Sequence, residues 1–325
     1  MPPCRGGTEQ DGSSALPEIF DTNEFQSGLL AGLIALAAAL VLGVGWYLWK
    51  QRRVAVGGLL FTGAGLFALD RHVELPDELF VGIALLVAGG LISDFFGAPV
   101  PVRGALAVPG AWFVGLQTDV SDHSWVEIAV VVTIVVAGTT ATDLDRRWRR
   151  PSIAMALFAV TVGGVYLTVP DTEAPLALLA PAGLLALVAW PLNRMRMGTA
   201  GAYAAIGLLA WVTAFGGIGR NGAIVGGLAS VGLLVAEPVA RLIAGFRGPL
   251  LRRSGPGSAI AIGVGQVALV FATSRVAGLR KAEDDAAIIA GLSFAVALMI
   301  CVAVAKGVRR NRQSTGVIVG SADTR

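Results

Sequence analysis

The sequence predicts an all-α, polytopic membrane protein with about eleven transmembrane helices, an outside N-terminus and a cytoplasmic C-terminus. Three observations predict it. The chain is 55% hydrophobic and only 14% charged, where a soluble domain carries about 25% charged residues. Apolar runs near the ~20 residues that cross a bilayer recur along its whole length. The short segments between those runs alternate in charge.

Residues 1–24 are polar and acidic with Gly, Ser and Pro, and read as a disordered extracytoplasmic tail. No basic stretch precedes a short apolar core and cleavage site, so the first apolar run reads as an uncleaved anchor. The expected spans are 26–49, 54–70, 79–96, 102–118, 125–142, 152–169, 174–191, 198–218, 222–243, 257–279 and 285–305. The second and fourth are short, and Pro109 interrupts the fourth. Residues 25–306 then form a single transmembrane helical domain, because no stretch between spans is long enough for a separate soluble domain. Residues 307–325 form a basic cytoplasmic tail.

The count is checked by the excess of Lys and Arg expected on cytoplasmic loops. With the N-terminus outside, the outer segments hold only Arg5, Arg71, Arg220, Arg275, Arg280 and Lys281 of the 25 basic residues. Acids show the reverse bias: the inner side holds only Asp94, Asp143, Asp145, Glu237 and Asp323 of 22. Removing one span would destroy the alternation. The expected location is a bacterial inner or plasma membrane, crossed many times.

Cys4 and Cys301 are the only cysteines and His72 and His123 the only histidines, too few for a disulfide framework or a Cys/His metal cluster. The Gly-rich stretches lie within spans, where small residues allow close helix packing. No internal repeat of the inverted-transporter kind is evident. Nothing points to nucleic acid.

Acids at membrane depth are functional candidates. Asp94 ends the third span, where a charge at headgroup level is the plain alternative. Asp143 and Asp145 end the fifth and run into Arg146 and Arg147, which a solvated loop would also explain. Glu237 stands four residues before Arg241, the spacing of a helical ion pair. Inner-face arginines can bind phosphate groups or anionic lipid headgroups.

The order of five segments resembles the polyprenyl-phosphate N-acetylhexosamine-1-phosphate transferases (glycosyltransferase family 4), which include the undecaprenyl-phosphate GlcNAc-1-phosphate transferases and the phospho-MurNAc-pentapeptide translocase. Trp190-Pro191-Leu192-Asn193-Arg194-Met195-Arg196-Met197-Gly198-Thr199-Ala200-Gly201-Ala202 is similar to the family's N-x-x-P-A-R-I-F-M-G-D-A-G-S loop. Gly89-Gly90-Leu91-Ile92-Ser93-Asp94-Phe95-Phe96-Gly97 is similar to G-L-x-D-D-x-x-G. In segment 139–145, Thr139 and Thr142 take the Asn positions of N-A-x-N-x-x-D, and Asp145 takes its Asp. Arg52-Arg53-Val54-Ala55-Val56-Gly57-Gly58 resembles a basic run before P-x-x-G-G, and Glu237 sits near an acidic position closing span nine. The resemblance covers residues 45–255 and implies the same eleven-span, N-out topology.

It also implies a reaction: a polyprenyl phosphate attacks the sugar-linked phosphorus of a UDP-amino sugar, and UMP leaves. Mg²⁺ would be the cofactor, held by Asp94 and Asp145, which would also be the catalytic pair. Asn193, Arg194, Arg196, Thr199, Arg252 and Arg253 would bind substrate. Implied partners are membrane lipid, a polyprenyl phosphate, a UDP-sugar and a second copy of the chain. The departures are specific. Ser93 replaces one Asp of the pair, Thr199 the metal-binding Asp, Ala202 a Ser, and the histidine-rich motif after span nine is absent. A neutral hydroxyl is a weak Mg²⁺ ligand, and its loss of charge weakens stabilisation of the transferring phosphoryl group. The expectation is a diverged relative in cell-envelope glycan synthesis with reduced or lost transferase activity. A non-catalytic polyprenyl-lipid-binding or envelope-assembly protein is the first alternative. A small-solute transporter, with Glu237 as coupling residue, is the second.

Overall fold

The computed structural model describes residues 22–50, 56–116, 124–147, 174–192, 196–216, 231–243, 292 and 294–303. Among them every regular element is a helix: α1 (Asn23–Lys50), α2 (Gly57–Leu69), α3 (Asp77–Phe96), α4 (Val100–Leu116), α5 (Ser124–Arg147), α6 (Ala174–Leu192), α7 (Thr199–Gly216), α8 (Gly232–Ile243) and α9 (Phe294–Ala303). Both short spans are present as helices, α2 and α4. The expected spans 152–169 and 257–279, like most of the two tails, lie outside the described residues.

Of the described helices, Asp77–Phe96 is the one that is at least 18 residues long and apolar enough to cross a membrane; α2, α4 and parts of α6, α7 and α9 are shorter apolar helices. The outward faces are apolar as well. Leu33, Ile34, Phe80, Leu91, Trp112 and Ile128 are all exposed, and Phe95 is 85% exposed. Exposed apolar side chains of this size are not ones that water solvates cheaply, and they suit a membrane protein, with backbone groups satisfied inside each helix.

α7 is the centre of the bundle. Every residue from Thr199 to Thr213 is buried, and α7 packs on α2, α3, α4, α5 and α6. Its small residues permit this. A Cβ added to Gly201 would fall 2.6 Å from the Gly58 Cα of α2, and one added to Gly207 would fall 2.6 Å from Leu86 of α3. Gly90 of α3 lies against the Ala200 backbone, and Gly138 of α5 against the Tyr203 ring. Backbones this close exchange dispersion contacts that larger side chains would prevent.

Threonine hydroxyls inside the helices close on their own backbones. Thr62 donates to Gly58 O, Thr142 to Gly138 O and Thr213 to Leu209 O, each at 2.8 Å. A hydroxyl away from water needs such an acceptor, and the carbonyl one turn back is the nearest.

Candidate functional site

Three helix ends meet where the loop before α7 begins. α3 stops because Gly97 takes a left-handed conformation (φ 63°) and Ala98 N–H closes back on Ser93 O at 2.9 Å, a conformation that glycine adopts without steric cost. Asp94 therefore lies in the last turn of α3, at the negative end of its own helix. That position is unfavourable unless something positive faces it.

The N-terminus of α7 does. Gly198, which precedes α7 with φ 74°, has no side chain with which to cap it. Asp94 supplies the cap from outside: Thr199 N–H donates to Asp94 Oδ2 at 3.1 Å, and the Thr199 hydroxyl donates to Asp94 Oδ1 at 2.5 Å. A carboxylate thus satisfies an otherwise orphaned first-turn donor and meets the positive end of the helix dipole. Thr199 itself is 1% exposed.

The same loop caps α2. Gly57 N–H donates to Arg196 O at 2.7 Å and Gly58 N–H to Met197 O at 3.1 Å. Val56, at the cap position, makes no side-chain bond, so the loop carbonyls take that role. Two buried polar atoms beside these caps have no hydrogen-bond partner, Ser93 Oγ and Arg196 Nε. Orphans of this kind are rare in a folded interior and call for an explanation.

A second polar group lies between α4, α5 and α8. The sequence suggests a solvated loop after residue 142, but α5 continues to Arg147 and Asp143 is 5% exposed. Its burial is tolerable because it is paired. Arg103 Nη1 lies 3.4 Å from Asp143 Oδ1, and Arg241 Nη1 lies 3.7 Å from Asp143 Oδ2. Arg103 is fixed in turn by its Nε donating to Ala98 O at 2.7 Å. Arg241, whose spacing suggests a pair with Glu237, makes a contact across helices to Asp143. Glu237 is 1% exposed on α8, next to Pro238. The expected Asn-position threonines are structural: Thr139 pairs with the Tyr203 hydroxyl of α7 at 2.7 Å, and Thr142 bonds its own helix.

The structure thus joins Asp94 to Thr199, and ties Arg196, three residues before Thr199, to Gly57 of α2 through its carbonyl. Asp145 lies within α5, with its side chain outside the described residues; Asn193, Arg194, Arg252 and Arg253 are outside them altogether. Arg103 and Tyr203 are the site-region residues that sequence reading missed. In the sequence Arg103 is one more basic residue on an inner loop, and nothing there shows that it points inward.

Of the two residues the resemblance implies for Mg²⁺, Asp94 is described and the Asp145 side chain is not. Among the described residues no group of three His, Cys, Asp or Glu side chains could hold a metal ion. Both oxygens of Asp94 accept from Thr199, one from its backbone and one from its hydroxyl. Asp143 is already faced by two guanidiniums.

No family model matches the chain. It is 24% identical over 221 residues to the Na(+)/H(+) antiporter NhaA of Albidiferax ferrireducens, a match covering 59% of this chain and 54% of that protein. The chain therefore spans about half the length of the curated relative it matches.

Proposed function

We propose that the chain is a multi-span membrane protein that binds a polyprenyl phosphate at the end of the bundle formed by Asp94, Arg196 and Thr199, with transferase turnover reduced or lost. The observation that carries this reading is convergence. The segments that resemble the hexosamine-1-phosphate transferases are far apart in sequence, yet Asp94 bonds Thr199, and Gly57 and Gly58 bond Arg196 and Met197. The orphaned Ser93 Oγ and Arg196 Nε are donors that a phosphate oxygen would satisfy. In the proposed topology this end faces the cytoplasm, where a nucleotide-sugar would be met. What opposes full activity is the donor set: hydroxyls stand where the chemistry needs carboxylates.

The test uses purified full-length protein in lipid nanodiscs, titrated with undecaprenyl phosphate and read by native mass spectrometry. Saturable binding that Mg²⁺ does not change, with no UMP released from UDP-GlcNAc beside an active control enzyme, is the expected result. Mg²⁺-dependent UMP release that Asp94→Asn abolishes would instead make the protein an active transferase.

A second reading is a solute transporter. The similarity to an antiporter and the buried acids Asp143 and Glu237 favour it, since acids buried in membrane helices mark ion pathways. Proton or sodium flux in liposomes, lost in Glu237→Gln, would establish it.

A further inference from the structure

His72 stands in the turn between α2 and α3, next to the N-terminal turns of α1, and takes no part in the site above. Its ring lies between two groups of α1: Nε2 is 2.7 Å from Ser27 Oγ, and Nδ1 is 3.5 Å from Glu24 Oε1. The His72 and Glu24 side chains are 19% and 21% exposed, so the group is sheltered yet reachable.

The single hydroxyl hydrogen of Ser27 has two acceptors in range, Glu24 O at 2.9 Å and His72 Nε2 at 2.7 Å. Donation to Nε2 leaves the ring's hydrogen on Nδ1, the nitrogen 3.5 Å from Glu24 Oε1. That tautomer sets hydroxyl, imidazole and carboxylate in sequence, the second step at ion-pair distance rather than as a hydrogen bond. It is the order in which an imidazole acts as base to a hydroxyl while a carboxylate holds the imidazole in place. Two further features add positive potential nearby. Ser27 lies in the first turns of α1, near the positive end of its dipole. Arg71, next to His72, is held over the Phe67 ring at 4.6 Å.

We propose that Ser27 is a nucleophile activated by His72 and oriented by Glu24, at the opposite end of the bundle from Asp94, with activated acyl or phosphonyl esters as its substrate class. With an ester, Ser27 Oγ forms a bond to the carbonyl carbon and its proton passes to His72 Nε2. The bond to the leaving alcohol breaks, and that alkoxide takes the proton from His72. Water then enters by the same route, releases the acid and restores the serine.

The probe is a fluorophosphonate, which bonds through phosphorus to the serine oxygen while fluoride leaves and His72 takes the proton. Full-length protein in nanodiscs is labelled and the adduct is mapped by peptide mass spectrometry. The expected result is an adduct on Ser27, absent in Ser27→Ala and formed about 100-fold more slowly in His72→Gln, the size of a general-base contribution. Glu24→Gln slows it less, because the base remains. Each variant is first shown to keep the wild-type elution volume and melting temperature; one that does not is replaced by His72→Asn or Ser27→Gly. No adduct on Ser27, or an adduct whose rate ignores His72, overturns the proposal.

Discussion

Asp94 and Thr199 are 105 positions apart in the chain and meet through two hydrogen bonds, with both carboxylate oxygens engaged, one by the backbone and one by the hydroxyl of the same threonine. The contact ties the end of α3 to the start of α7, and so stabilises the buried central helix at the point where it has no cap of its own.

Removing the cap therefore costs stability. Asp94→Ala is expected to lower it by about 1 kcal/mol, the usual worth of an N-cap, and Asp94→Asn by less, because an amide oxygen still accepts. Thermal melting of the detergent-solubilised protein checks the order. Combined with Thr199→Val, the effects should be non-additive, as for residues in direct contact.

Thr199→Asp restores the acid that the resemblance expects. Two carboxylates would then lie within hydrogen-bond distance, where like charges disfavour one another. The variant is expected to melt below wild type in EDTA and to recover with Mg²⁺, which two carboxylates can begin to hold. Wild type should show no such response.

Asp143→Ala is expected to be the costliest change near the site, about 3–5 kcal/mol, because it leaves Arg103 buried without its counter-charge. Replacing Arg103 by Met and Asp143 by Leu together should cost much less, since the guanidinium that then loses Asp143, Arg241, is partly exposed to water. Melting of the two single variants and the double variant separates the outcomes.

Packing at Gly201 makes a sharper contrast. Gly201→Ala places a methyl group against the α2 backbone, and overpacking of this kind costs about 1–3 kcal/mol. Gly63→Ala meets nothing within 4 Å and should be neutral or stabilising by up to about 1 kcal/mol, the helix advantage of Ala. Both are read by the same melting assay.

Most of the helices were legible in the sequence because apolar length alone specifies them. Glycine and proline did not hide α2 and α4, since apolar helices packed among others tolerate both when neighbours satisfy the backbone. Asp94 and Thr199 were legible as candidates because each stands in a recognisable segment. That they bond one another was not, because nothing local encodes a contact between the end of one helix and the start of another. The burial of Asp143 was not legible for a related reason. Four charged residues within 143–147 look like a loop, and only the arginines brought in by α4 and α8 make a buried helical aspartate affordable. The surroundings of His72 were not legible because its partners lie on another helix.

The account rests on the phosphate end of a lipid being held beside Arg196 and Thr199. The most direct measurement is undecaprenyl phosphate binding to the nanodisc-embedded protein by native mass spectrometry, wild type against Arg196→Ala, with undecaprenol as the phosphate-free control. The prediction is saturable binding of the phosphate form alone, weakened about tenfold in the variant, as the loss of one charge-assisted hydrogen bond implies. Equal retention of undecaprenol and undecaprenyl phosphate, unaffected by Arg196→Ala, would contradict it.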